Sequence, residues 1–127
     1  MRIILTILLL FLSANFLMCQ KLAHNYHKAI TFAEAKNYIG KNVIVTGKID
    51  QVVISKEGDY YLIFGGKFPN YRFSAVILKS EVSKFGKINT YEGKEVAVLG
   101  KITEENYKPQ IILASNTRIK IIEEKSK

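Results

Sequence analysis

Two long stretches of the chain alternate apolar and polar positions with a period of two. In residues 40–49, GKNVIVTGKI, the residues Val43, Val45, Gly47 and Ile49 share one face, and Ile44, Thr46 and Lys48 share the other. Residues 93–102, GKEVAVLGKI, place Val96, Val98, Gly100 and Ile102 on one face and Ala97, Leu99 and Lys101 on the other. Seven of the ten positions are identical in the two stretches. The segments between them repeat no order, so two strands meeting one structural demand is a simpler reading than a duplicated unit. A glycine on the inward row leaves space where a side chain would clash, and it lets a long strand bend or bulge as a sheet closes. Both strands are therefore predicted to coil.

The other elements fall between and around this pair. TFAEAKNYIGK reads as a short helix, with Thr31 and Glu34 as a capping box and Gly40 at the left-handed C-terminal position. SKEGD is a turn, YYLIF a second strand and RFSAVILK a third. SEVSKFGKIN reads as a short helix or irregular crossover introduced by Ser80. After the fourth strand come a turn at EENYKP and a final strand-like run, QIILASNTRIKII, broken at Ser115 and Asn116. Five strands with a helix-sized connection between the third and fourth predict an all-β fold. The expected form is a five-stranded OB-fold barrel with a short N-terminal helix and a short helix between strands 3 and 4. An SH3-like barrel, the main competitor, usually lacks a connection of that size at that point.

Composition changes this picture mainly at the amino terminus. A 127-residue chain with 48% hydrophobic and 24% charged residues has room for one globular domain. Part of the apolar content lies in MRIILTILLLFLSANFLMCQ, where Arg2 precedes an apolar run from Ile3 to Leu12 and a polar break at Ser13–Asn15. That layout is a secretory signal peptide, and the run is shorter than the roughly 20 residues a membrane span needs. The expected division is a signal peptide over 1–20, a flexible leader over 21–29, the OB-fold domain over 30–122 and a charged tail over 123–127. The expected location is outside the membrane, periplasmic or secreted. The one cysteine, Cys19, sits where processing would occur, but Phe16, Leu17 and Met18 are not the small residues that precede a lipidated cysteine. Ordinary cleavage beside Gln20 is the better reading, and a lipid anchor at Cys19 is the alternative. Such cleavage leaves no cysteine, and so no disulfide or thiol chemistry. It also removes one of nineteen basic residues and none of eleven acidic ones, leaving a mature charge of +7. That charge suits nucleic acid, anionic lipid or acidic polysaccharide without choosing among them.

The segments EAKNYIGKNVIVTGKI, FGGKFPNYRFSAVI, and GKEVAVLGKI followed by KPQIIL resemble a group of small bacterial OB-fold domains of the nucleic-acid-binding type. The resemblance covers about residues 30–122 and implies an exported, stand-alone member of that group. It implies a binding module, but OB folds take single-stranded nucleic acid, oligosaccharides, metals and proteins. The chain departs from the strongest binders of the group in having no tryptophan.

Catalytic and metal-binding chemistry finds little support in the residue types. His24 and His27 have no cysteine partner and no carboxylate before Glu34, and no histidine lies in the folded domain to activate a serine. Asp50, Glu57, Asp59 and Arg72 could form a nuclease-like cluster, but such acids near a β-turn are usually turn residues. The expectation is a non-enzyme without cofactor or metal. Ligands of OB folds cross the face of the second and third strands, between the loop joining strands one and two and that joining four and five. On that location Tyr60, Tyr61, Lys67, Phe68, Tyr71 and Arg72 become candidates, with Tyr107 and Lys108 closing the groove and Lys48 on its floor. Adjacent Tyr60 and Tyr61 must face opposite ways, so at most one of them is available to a ligand. The expected binding set is therefore Lys48, Tyr61, Lys67, Tyr71, Arg72, Tyr107 and Lys108. Phe64 and Phe73 are expected in the core, and Gly65 and Gly66 in the turn. The expected partner is single-stranded DNA or RNA, and the alternative is an envelope protein or polymer held by the same face.

Overall fold

The computed structural model describes residues 27–122. The proposed signal peptide, Cys19, His24 and the charged tail lie outside the described residues. Seven strands form: β1 Ala29–Thr31, β2 Asn42–Ile54, β3 Tyr60–Phe64, β4 Phe73–Ile77, β5 Glu95–Glu105, β6 Lys108–Ile112 and β7 Ile119–Ile121. Five of them, in the order β2, β3, β4, β6, β5 and back to β2, close into a ring. All pairs in the ring are antiparallel except β4 with β6. The short β1 adds to β2 in parallel, and β7 adds to β5. β1 starts at Ala29, where the sequence placed the last residue of the leader, and Ala29 pairs with Ile44.

Closure depends on the length of β2. Its first half pairs with β5 from Asn42 to Lys48, and its second half pairs with β3 from Ile49 to Ile54, with a register shift between Ile49 and Gln51. One strand thus serves both halves of the ring by bending at a bulge. The inward row expected for it is seen: Val43, Val45, Ile49, Val96, Val98 and Ile102 are all buried in the core. The two inward glycines make room for particular neighbours. A Cβ at Gly47 would lie 2.5 Å from the Phe32 ring, and one at Gly100 would lie 2.7 Å from Ile111. Phe64 and Phe73 meet edge to face at 5.3 Å between ring centres, fully buried as expected.

The helical segments differ from the expectation. The N-terminal helix is a short 3-10 helix, Phe32–Asn37, and the crossover is two short 3-10 helices, Lys79–Lys84 and Ile88–Tyr91. The first is pinned between β1, which ends at Thr31, and β2, which starts at Asn42. Six residues are too few to recover the cost of nucleating an α-helix, and the tighter i to i+3 bond of Tyr38 N–H to the Ala35 carbonyl (3.0 Å) closes the segment instead. The expected capping box of Thr31 and Glu34 forms, with the Glu34 carboxylate accepting from the backbone N–H (3.2 Å) and the hydroxyl (3.0 Å) of Thr31. In the crossover the first helix begins after Leu78 rather than at a Ser80 cap, and Gly86 with φ +67° separates the two helices. Phe85 and Ile88 fill one end of the ring from this segment.

The final run divides at the expected break. β6 ends at Ile112, and β7 resumes at Ile119, paired with the first half of β5 rather than the second. β5 and β6 are joined by Asn106 and Tyr107, with φ 51° and 65°, the left-handed pair of a tight two-residue hairpin. Among the described residues no helix is long and apolar enough to cross a membrane.

Candidate functional site

The segment from Gly65 to Arg72 is folded back onto the sheet by two side chains of β2. Asp50, at the bulge, accepts hydrogen bonds from the backbone N–H groups of Gly65 (3.1 Å) and Gly66 (3.0 Å). Gln51 accepts one from the N–H of Phe68 at 2.8 Å. Gly66 has φ +128°, and a Cβ there would stand 2.2 Å from the Asn70 carbonyl oxygen, so only glycine fits. Both glycines serve the turn, as the sequence suggested. The loop brings Phe68 and Tyr71 into a stacked pair with ring centres 6.2 Å apart. Lys108 reaches across from β6, donates to the Pro69 carbonyl and places its ammonium 3.9 Å from the centre of the Tyr71 ring.

These contacts enclose a hollow of about 390 Å³ on the outer face of β3, β4 and β6. Val53, Tyr61, Phe68 and Tyr71 supply its apolar walls, Lys56, Glu105 and Lys108 its charges, and Ser74 and Gln110 a polar floor. Tyr61 pairs in register with Val53 on one side and with Val76 on the other, while Ser74 faces Gln110 across the parallel pair. Ser74 and Gln110, 2% and 8% exposed, are the two buried polar residues among those described. Tyr60 faces the other way and packs against the core, so the split between the adjacent tyrosines holds.

Both groove phenols hold their protons more tightly than a free tyrosine. For Tyr61 the cause is burial first and the Glu105 carboxylate second. For Tyr71 burial again leads, followed by Glu105, with a hydrogen bond to Ser74 partly offsetting them. The neutral phenols therefore stabilise the fold fully below about pH 10, and that contribution is lost as the pH rises through the raised folded values. Urea unfolding at about pH 9 and about pH 11 is expected to show a smaller loss for Tyr71→Phe than for the wild type. Equal losses in the two proteins would contradict the assignment.

The seven residues expected to bind divide among three places. Tyr61, Tyr71 and Lys108 meet in the hollow just described. Lys48 and Lys67 line a separate, more open hollow with Asp50, Gln51 and Glu92, where acids face the two lysines. Lys48 is not on the groove floor, because β2 has yet to pass its bulge at that point and still pairs with β5. Arg72 and Tyr107 line a third hollow together with Phe32 and Lys36, and Tyr71 and Lys108 border it as well as the first. Phe68, a candidate left out of the expected set, is 60% exposed and walls the groove. Lys56, Ser74, Glu105 and Gln110 were not singled out. The period-2 pattern could have found Ser74 and Gln110 as polar positions on strands whose other face is core.

Two of the three acids considered for catalysis, Asp50 and Asp59, accept backbone hydrogen bonds. Asp50 holds the two glycine N–H groups, and the Asp59 carboxylate accepts from the backbone N–H of Lys79 at 2.8 Å. Among the described residues no three metal-ligating side chains cluster.

No family model matches the chain, and no curated protein does. Solved structures do match. A putative aspartyl-tRNA synthetase from Leishmania major Friedlin aligns over 76% of this chain and 21% of its own, with 10% identity and a TM-score of 0.51. OBody AM1L10, solved bound to hen egg-white lysozyme, aligns over 78% of this chain and 97% of its own, with 14% identity and a TM-score of 0.54. The S. pombe Stn1-ten1 complex gives 69% and 68%, with 18% identity and a TM-score of 0.50. The chain thus spans about a fifth of the length of the synthetase. These likenesses make the chain an OB-fold protein.

Proposed function

We propose that this chain is an exported, non-catalytic OB-fold module that binds single-stranded nucleic acid with little sequence preference. The observation that carries the reading is the meeting of three aromatic rings, Tyr61, Phe68 and Tyr71, with Lys56 and Lys108 in one hollow. The hollow lies on the face and between the loops where OB folds hold ligands. Every base offers a π-face, so rings that stack bases bind without reading sequence, while lysines at the rim neutralise phosphates. The signal-peptide layout of residues 1–20 supports export. A second reading, an exported module binding a protein or envelope polymer through the same face, is favoured by one comparison. OBody AM1L10, an OB-fold chain of similar extent, is bound to a protein.

The test is a fluorescence-anisotropy titration of the 127-residue chain with a labelled mixed-sequence single-stranded oligonucleotide at low and physiological salt. Micromolar binding is expected. With about four phosphates neutralised, the log–log salt slope should be near −3. Tyr61→Ala and Tyr71→Ala should each weaken binding by roughly 5- to 150-fold, the equivalent of about 1–3 kcal/mol for a lost stacking platform. Absence of binding at low salt would overturn this reading and leave the protein- or polymer-binding one.

A further inference from the structure

The third hollow differs from the first in its charge. Lys36, Arg72 and Lys108 line it, with Phe32, Tyr71 and Tyr107 as aromatic walls, and no carboxylate is among its lining residues. Glu105, by contrast, lines only the first. The one ion pair among the described residues is Lys84 with Glu81, so none of the three cations is neutralised by a carboxylate within salt-bridge distance. The two hollows share Tyr71 and Lys108 and so adjoin at the Tyr71–Lys108 contact, and a strand crossing that contact would follow one track through both.

Resting on the nucleic-acid reading above, we infer that this third hollow is a phosphate subsite. It takes the backbone phosphate that follows a base stacked in the first hollow. At about 220 Å³ it is the smaller of the two, a size that suits a phosphodiester. Charge sorting supplies the polarity of the track, since a carboxylate is tolerated beside a neutral base and costly beside a phosphate. The parts are also fixed in place before a ligand arrives. Lys108 is held by the Pro69 carbonyl and the Tyr71 ring. Phe32 is clamped between Gly47 and Gly65, each of which would bring a Cβ within 2.6 Å of its ring, and this sets the 3-10 helix that carries Lys36. Tyr107 stands 96% exposed at the tip of the β5–β6 hairpin with φ 65°.

Two labelled strands of one sequence separate the subsite from general attraction, one with ordinary phosphodiester linkages and one with uncharged methylphosphonate linkages. The double variant Lys36→Gln with Arg72→Gln, in the full chain, is expected to bind the phosphodiester strand about tenfold more weakly at physiological salt. Its salt slope should be shallower by about 0.7 for the one phosphate no longer neutralised. Its affinity for the uncharged strand should equal that of the wild type. A control pair, Lys41→Gln with Lys101→Gln, removes the same charge from positions that line none of the three hollows. Equal weakening by both pairs would mean diffuse attraction and overturn the subsite. So would unchanged binding in the first pair, or equal loss on both strands, while the wild type still binds. Failure of the wild type to bind either strand would instead overturn the nucleic-acid reading, and the subsite with it.

Discussion

Phe64→Ala is expected to destabilise the fold by about 3–5 kcal/mol, the range for emptying a fully buried phenylalanine site. Phe64 is the last residue of β3, its side chain is wholly buried, and its ring touches both Phe73 at 5.3 Å and Phe32 at 6.2 Å between centres. The glycine at position 47 has no side chain with which to refill the space, and β3 is held in register on both sides, so the site cannot collapse. For a domain whose whole stability is of the order of 5–15 kcal/mol, that loss moves the urea midpoint a long way. Phe68→Ala, four residues on, removes an equal ring from an exposed position and should shift the midpoint by under about 1 kcal/mol while weakening oligonucleotide binding. The paired measurement is a urea midpoint and an oligonucleotide affinity for each variant. Similar midpoints for the two would show that the ring at 64 is not the centre of the core.

Asp50→Ala should act on stability and binding together. Its carboxylate is the common acceptor for the Gly65 and Gly66 N–H groups, and hydrogen bonds to a charged group contribute roughly 1.5–3 kcal/mol each. Partial exposure of the site reduces that, so about 3 kcal/mol for the pair is the expected cost. Releasing the loop also frees Phe68 and Tyr71 from the position in which they wall the groove. Affinity for single strands should fall by about tenfold or more even at temperatures where the variant stays folded. Asp50→Asn keeps an acceptor and should recover part of both. Thermal unfolding and anisotropy on the same samples test this, and an Asp50→Ala protein with wild-type stability and affinity would remove Asp50 from its role in holding the loop.

The strands were legible in the sequence because their signal is local. The alternation in GKNVIVTGKI and GKEVAVLGKI placed the inward residues correctly, since a period of two fixes which side of a pleated strand meets the core. Phe64 and Phe73 followed from the same rule, as did the opposite facing of Tyr60 and Tyr61. The helical segments were read less well. TFAEAKNYIGK has helical composition, but its length was set by where β1 and β2 pair, and a short 3-10 helix resulted.

The site was legible in part. Its location on the face of two central strands, and Tyr61, Tyr71 and Lys108 within it, came from strand order and the hairpin composition. Lys48 was misplaced because β2 serves both halves of the ring, pairing with β5 up to Lys48 and reaching the groove only after the bulge at Asp50. Asp50 was weighed as a catalytic acid, whereas the structure gives it two backbone donors 15 and 16 residues away in sequence.

By itself the sequence determined the number of ring strands, their inward faces and the turns between them, because each depends on residues within a few positions of one another. The tertiary structure alone decided how the seven expected residues divide, which hollow holds a carboxylate, and that Lys36 stands beside Arg72. Those relations join segments that meet only when the ring closes, and closure depends on pairings such as β4 with β6 that no local pattern encodes.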